Sequence, residues 1–394
     1  YTQYDYGEVG KDVIDIRWYK GPSDANCYKE SGALSGFGKA RNVIFLIGDG
    51  MSTAQVSLAR MKAVGSEGKL YMEKMPVIGL MKTHSANAHV TDSAAAGTAL
   101  ACGVKTNNGM IGMTADKTKY QNLLEAAQDI GKRTGLVATS TISHATPASF
   151  GSHVHNRGKE QEISGQIIDH EINVIFGGGK KHWVKESRKD KRDLMSEAKG
   201  KGYEIVSNAE EMKAANGRYV LGLFQDGALS TFSPEPSIGE LTNKAIELLN
   251  RKEKKQGLFD KVNVFKQDKG FFMMVEGSQI DWACHANNAD NCIKQTLLFD
   301  LAVREAVEFA RKDKHTLVVV TADHECGGLT VFGGNINEKK PQAKWSSGGH
   351  SAAEVPVYAY GPGSEEFTGL MDNTELSKKI AEAMGVKEFP KALE

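Results

Sequence analysis

Proline is scarce in this chain, 9 of 394 residues, and cysteine is scarcer still at 5. So few cysteines exclude a disulfide-stapled scaffold, and the odd count leaves at least one thiol unpaired. Surplus charge is missing as well: 49 Lys plus Arg balance 49 Asp plus Glu. A neutral chain carries no global basic field, which argues against nucleic acid or an anionic membrane surface as the partner. No apolar run approaches the roughly 20 residues that a membrane-spanning helix needs. Internal repeats and low-complexity segments are absent too. The first residue is Tyr1 rather than Met, which fits a removed signal peptide and equally a trimmed start. What is left is a composition of 40% hydrophobic and 25% charged residues, long enough for one large or two ordinary domains.

Three apolar runs end in acid. Residues 42–47 lead into Gly48-Asp49-Gly50, residues 271–275 into Glu276, and residues 316–320 into Thr321-Ala322-Asp323-His324. Continuous apolar runs of this length mark parallel strands buried on both faces. Ligands of open α/β sheets sit beyond the carboxyl ends of such strands, so the three acidic ends predict one shared site. Asp281 and His285 stand four apart and share a face if that stretch is helical. Oxygen plus imidazole at that spacing suits zinc. His350, with Gly348-Gly349 before it, has no apolar face to join. Each feature alone is ordinary; together they favour a polynuclear metal centre.

Ser93 adds the reactive group. It follows Asp92 and opens Ala94-Ala95-Ala96-Gly97, a stretch of small helix formers. On a first helical turn the unpaired N–H groups and the macrodipole favour negative charge. A hydroxyl there ionises more easily and a phosphate is held more easily. Standing alone, the Asp-Ser pair would read as an ordinary N-cap.

These segments, with Ser143-His144-Ala145-Thr146-Pro147 and Asn156-Arg157, resemble the alkaline phosphatase family in content and order, from about residue 41 to 363. The resemblance implies a three-layer α/β/α sandwich around a large, mostly parallel central sheet. Residues 1–40 would be an N-terminal arm and 41–394 a single domain, with a charge-rich, insertion-like region at about 180–269. It assigns Asp281, His285 and His350 to a first zinc, and Asp49, Asp323 and His324 to a second. Asp49, Thr146 and Glu276 match a third site, usually magnesium. The donor types agree, since zinc takes imidazole and carboxylate whereas magnesium prefers hard oxygens. Ser93 would be the nucleophile and Arg157 the fork on the phosphoryl oxygens, with Asp92 and Trp282 beside the substrate phosphate. The implied reaction hydrolyses phosphate monoesters to alcohol and inorganic phosphate through a phosphoserine, with phosphate as product and inhibitor. The family further implies a homodimer working in the periplasm or outside the cell.

Two positions depart from the best-known bacterial members: His144 stands where many have aspartate, and Trp282 where they have lysine. That pair resembles some marine and cold-adapted bacterial members. An imidazole beside the third site offers a softer ligand than magnesium prefers, and Trp282 removes a positive charge from near the phosphate. Phosphate is then expected to bind less tightly and leave faster. Sister activities share the metal ligands. The Cys/Ser-x-Pro-x-Arg motif of arylsulfatases is absent, because Ala95 and Ala96 follow Ser93. Diesterases generally use threonine as nucleophile, phosphomutases have a different nucleophile context, and a non-catalytic binding protein would lack a catalytic group.

Cys284 and Cys292 would be about 12 Å apart on one continuous helix, too far to bridge. Residues 285–291 could break that helix and let a disulfide form, which would fit an oxidising compartment. Cys326 lies near the ligands and is read as lying outside their set. His84, His89, His170, His182 and His315 are read as surface or capping residues, and His153 and His155 as candidates for the pocket rim. Gly177-Gly178-Gly179-Lys180-Lys181 is not a P-loop, because Val174 and Lys181 occupy the positions of its first glycine and its Ser/Thr. It is a turn after a strand at 172–176. The run 185–193 alternates both signs and reads as solvated surface. Leu376, Ile380 and Met384, spaced by four, predict a closing helix.

Overall fold

A computed structural model describes residues 15–28, 40–251 and 269–394. Its strands are β1 (Asn42–Gly48), β2 (Val77–Lys82), β3 (Arg133–Thr141), β4 (Val174–Gly178), β5 (Tyr203–Val206), β6 (Tyr219–Leu223), β7 (Phe271–Gly277) and β8 (Thr316–Thr321). They are followed by β9 (Glu325–Cys326), β10 (Leu329–Asn335), β11 (Lys340–Trp345), β12 (His350–Ser351), β13 (Val355–Tyr360) and β14 (Gly369–Asp372). Ten of them form one sheet in the order β14-β2-β13-β8-β1-β7-β3-β4-β6-β5. Among the described residues only β13 runs against its sheet neighbours, β2 and β8. The fold is the predicted α/β architecture with a mostly parallel sheet.

Every residue of β1, β7 and β8 is buried, as continuous apolar runs between two helical layers require. Helices Ile238–Leu249 and Ala289–Asp313 pack on one another in one layer. Helices Ser93–Cys102, Leu123–Asp129 and Asn373–Met384 pack together in the other. The closing helix is the predicted one: Leu376, Ile380 and Met384 are buried, an Asp372/Glu375 capping box starts it and Gly385 ends it at φ 85°.

β1 lies between β7 and β8, with Ile47 opposite both Glu276 and Thr321. Asp49, Glu276 and Asp323 therefore leave the sheet side by side. Gly50 follows at φ +72°, and a Cβ there would come within 2.8 Å of the Asp281 Cα, so only glycine lets these segments meet so closely.

Strand β4 starts two residues later than the sequence suggested and includes Gly177 and Gly178; Gly179 then turns at φ 96°. The described part of the N-terminal arm packs on its own chain. Trp18, Tyr19 and Tyr28 are buried, and the Tyr19 hydroxyl donates to Asp300 Oδ2 at 2.5 Å. The rest of the arm, and residues 252–268 of the charge-rich region, lie outside the described residues.

Candidate metal centre

The helix Gln279–His285 begins directly after β7 and places Asp281 and His285 on one face, as their spacing predicted. His285 Nε2 lies 3.2 Å from Asp281 Oδ2, and His350 Nε2 lies 3.4 Å from Asp281 Oδ1. Backbone carbonyls orient both rings through Nδ1: Gly348 O at 2.7 Å for His285 and Thr91 O at 2.8 Å for His350. Those contacts leave each Nε2 pointing at the carboxylate, the arrangement that metal-ligating imidazoles use. Deeper in, His324 Nε2 stands 3.2 Å from Asp323 Oδ2 and 3.5 Å from Asp49 Oδ1. The His324 and His350 rings stack with centroids 3.6 Å apart, which joins the two groups.

Ligand atoms of Asp281, His285, His350 and Cys326 all lie within 4.8 Å of one another, as do those of Asp49, Asp281 and His324, and those of Asp49, Glu276 and His144. The carboxylates of Asp49, Glu276, Asp281 and Asp323 are buried, and both Asp49 oxygens, Glu276 Oε1 and Thr146 Oγ1 have no hydrogen-bond partner. Buried anions without donors are costly unless cations compensate them. The donor set therefore fits bound divalent metal ions. Burial, then the charges of Asp323, Asp281 and Glu276, pushes the Asp49 carboxyl well above its ordinary range. Burial raises Glu276 to about 7, against the hydrogen bond from Ser278. A bound cation would reverse both shifts. Asp281 goes the other way: burial opposes ionisation, but hydrogen bonds from His285 and His350 hold it below the usual carboxylate range.

Ser93 starts the helix Ser93–Cys102 and is buried, its Oγ 3.3 Å from His324 Nε2. Asp92 caps this helix by accepting from the Ala95 amide at 3.0 Å. Its other oxygen accepts from the Gly109 amide at 3.1 Å and from Arg157 at 3.0 Å. Arg157 is only partly buried and leaves donors for a ligand. His144 Nε2 lies 3.3 Å from the Arg157 guanidinium, and its ring meets Trp282 edge-on at 5.9 Å. Burial and the Arg157 charge lower His144 to about 4, so at neutral pH the ring is uncharged and one of its two nitrogens can accept or ligate.

Every residue singled out for the site is thus in one cluster. Cys326, read as near the ligands but outside their set, has its sulfur within 4.8 Å of ligand atoms of Asp281, His285 and His350, and 3.7 Å from the Asp281 carbonyl oxygen. Two readings need correction. His153 is not at a rim: it is buried, with Nε2 2.9 Å from Glu125 Oε1 and Nδ1 2.7 Å from Gly112 O. His170 and His182 are partly buried and face Glu125 and Glu160 at 3.4 and 3.2 Å. Cys284 and Cys292 do approach, to 3.7 Å between sulfurs, because the chain turns at Asn287 (φ 50°) between two helices; both are free thiols.

A sequence profile described as Alkaline phosphatase matches residues 40–344 and 330–386. Alkaline phosphatase 4 of Bacillus subtilis (strain 168) is 38% identical over 424 residues, covering 86% of this chain and 88% of that protein. The alkaline phosphatase of Escherichia coli (strain K12) is 30% identical over 426 residues, covering 88% of this chain and 87% of its own. The alkaline phosphatase of the Antarctic bacterium TAB5 superimposes with a TM-score of 0.78 at 36% identity, covering 90% of this chain and 100% of that one. A mutant of that enzyme, with a histidine replaced by glutamate, is described with Mg bound in its M3 site.

Proposed function

The chain belongs to the alkaline phosphatase family, and we propose on that premise that it is a phosphomonoesterase working through a phosphoserine on Ser93. The observation that carries this reading is Ser93 itself: a buried hydroxyl on a helix N-terminus, 3.3 Å from His324 in a cluster of buried carboxylates and imidazoles. Asp281, His285 and His350 would hold one zinc, and Asp49, Asp323 and His324 a second. Asp49, Thr146 and Glu276 would hold a third ion, magnesium or, with His144 beside it, a softer cation. Bound there, the cations would make hydroxyls more acidic and neutralise phosphate charge.

The protein's own groups divide the rest of the work. The Ser93 oxygen forms a bond to phosphorus as the ester oxygen leaves in line and takes up a proton as the alcohol. Arg157 offers two parallel N–H donors to equatorial oxygens, and Asp92 fixes its plane. Water then displaces the serine oxygen, which regains its proton, and phosphate is released. Trp282, partly buried against His144, offers that phosphate no cation.

The test is hydrolysis of a chromogenic phosphate monoester, beside the matching diester and sulfate ester, at neutral and alkaline pH. Monoester turnover lost with EDTA and restored by zinc is expected, and Ser93→Ala should lower kcat at least about a thousandfold while metal is retained. Faster diester or sulfate turnover would assign the chain to a sister activity. No turnover with zinc bound would end the reading.

We also propose a homodimer and a periplasmic or extracellular location. Ile78, Leu80 and Leu370, 54%, 43% and 61% exposed on neighbouring strands, support the dimer. The location rests on family resemblance and would be refuted by finding the native protein in the cytosol after fractionation.

A further inference from the structure

One buried carboxylate beside the centre has no role in the reaction proposed above. Glu325 follows His324, is 3% exposed, and has donors on both oxygens. Its Oε1 accepts from Gln55 Nε2 at 3.0 Å and from the Leu329 amide at 3.1 Å. Its Oε2 accepts from the Gly328 amide at 3.2 Å and from the Ser351 hydroxyl. Two of these partners lie on other stretches that supply ligands. Gln55 sits in the helix Thr53–Ala63, just beyond Asp49, with its own Oε1 held by the Ser52 amide at 3.0 Å. Its Nε2 also donates to the Cys326 carbonyl at 2.9 Å. Ser351 follows His350, and the β9–β12 pairing sets Ser351 opposite Glu325 and His350 opposite Cys326.

We propose that Glu325 is a positioning residue for the metal centre: it ties together the three stretches that carry Asp49, His324 and His350, so that their ligand atoms converge before an ion arrives. It acts through those ligands and touches no substrate. The chemistry requires an anion with two acceptor oxygens. Glutamine in its place would turn an NH2 group towards two donors, and two of the four hydrogen bonds would be lost. A two-residue ladder such as β9–β12 has little backbone bonding of its own, so this side chain supplies much of its hold. Ligands held in advance need less ordering when the ion binds. The inference rests on the cluster being a metal centre, not on the reaction carried out there.

The test strips the full chain of metal and titrates it with cobalt(II), following the visible cobalt spectrum, in the parent, Glu325→Gln and Ser351→Ala. Glu325→Gln is expected to bind cobalt about 10- to 100-fold more weakly, the range for residues that orient ligands. Ser351→Ala, which removes one of the four donors and lies beside His350, should show a smaller loss. Phosphatase activity of both variants should recover in excess zinc, which a general folding defect would not show. Cobalt affinity in Glu325→Gln within about twofold of the parent overturns the proposal. If Glu325→Gln does not fold, Ser351→Ala and Gln55→Met decide it, and unchanged affinity in both overturns it. A parent that binds cobalt but hydrolyses no monoester would sink the phosphatase reading alone, with the variants still deciding the role of Glu325. A parent that binds no cobalt would overturn both.

Discussion

Arg157 and His144 sit 3.3 Å apart beside the cluster, and each carries a separate consequence. Arg157 is a fork, whereas lysine is a point charge. Arg157→Lys should keep the positive charge but lose one of two parallel hydrogen bonds, lowering kcat/KM about 10- to 100-fold. Steady-state kinetics check this, and an unchanged kcat/KM would remove Arg157 from the phosphate. His144 presents a nitrogen where an oxygen would better suit magnesium, so His144→Asp should tighten magnesium binding at the third site. Calorimetric titration of zinc-loaded protein reads this directly; unchanged magnesium affinity would mean that His144 does not face that ion. The placement of single residues was legible where a local pattern carried it. Asp49, Glu276 and Asp323 each end an apolar run, and Asp281 and His285 share a helical spacing. Glu325 carries no such sign, because its importance comes from four donors, two of them from distant segments.

Short elements escaped the sequence for a related reason. The β9–β12 bridge is two residues on each side, too brief for any periodicity, yet it aligns His350 with Cys326. The break between the helices Gln279–His285 and Ala289–Asp313 was expected within residues 285–291, but its exact place was not, because it depends on Asn287 taking a left-handed turn that asparagine tolerates but does not announce. The loop that carries Arg157 is a third case. It is pinned by Ile111 and Val154, which exchange backbone hydrogen bonds, and by His153 on Glu125. For His153 burial opposes protonation, but the Glu125 hydrogen bond and charge outweigh it and raise the imidazole above its ordinary 6.5. Burial likewise works against Glu125, and the same contact holds it below its ordinary 4.5. The His153 contribution is thus complete below 6.5 and fades as pH rises through the raised value; that of Glu125 fades as pH falls below 4.5. Parent stability should therefore exceed that of His153→Gln most between those limits, and the gap should narrow as pH rises above 6.5 through the raised value. Urea midpoints of both proteins across this range test it. A gap independent of pH would mean that His153 acts by packing alone.

At the scale of the whole molecule, the sheet order brings candidate ligands from residues 49 to 350 to one end of three adjacent strands, an outcome of parallel topology that apolar runs already foretold. The opposite question, what covers the sheet's β14–β2 edge, had no sequence signal, because alternation of apolar and polar residues looks the same on a free edge and at an interface. Strand β2 buries Gly79 and Met81 and turns Ile78 and Leu80 outward. Register sets Leu370 of β14 directly beside Leu80, so the outward apolar side chains fall on one face. Apolar neighbours grouped on adjacent strands in this way mark interaction surfaces more often than chance exposure. A second copy placed there about a twofold axis would set each patch against its twin. A lysine in the middle of that contact would meet its own symmetry mate, and like charges facing each other oppose association. Leu370→Lys should therefore shift the protein from dimer towards monomer in sedimentation at micromolar concentration, with the far-ultraviolet circular dichroism unchanged. Because the candidate metal ligands all come from one chain, the monomer should still bind cobalt. A Leu370→Lys protein that sediments as the parent does would show that these strands face solvent, and that any dimer is made elsewhere.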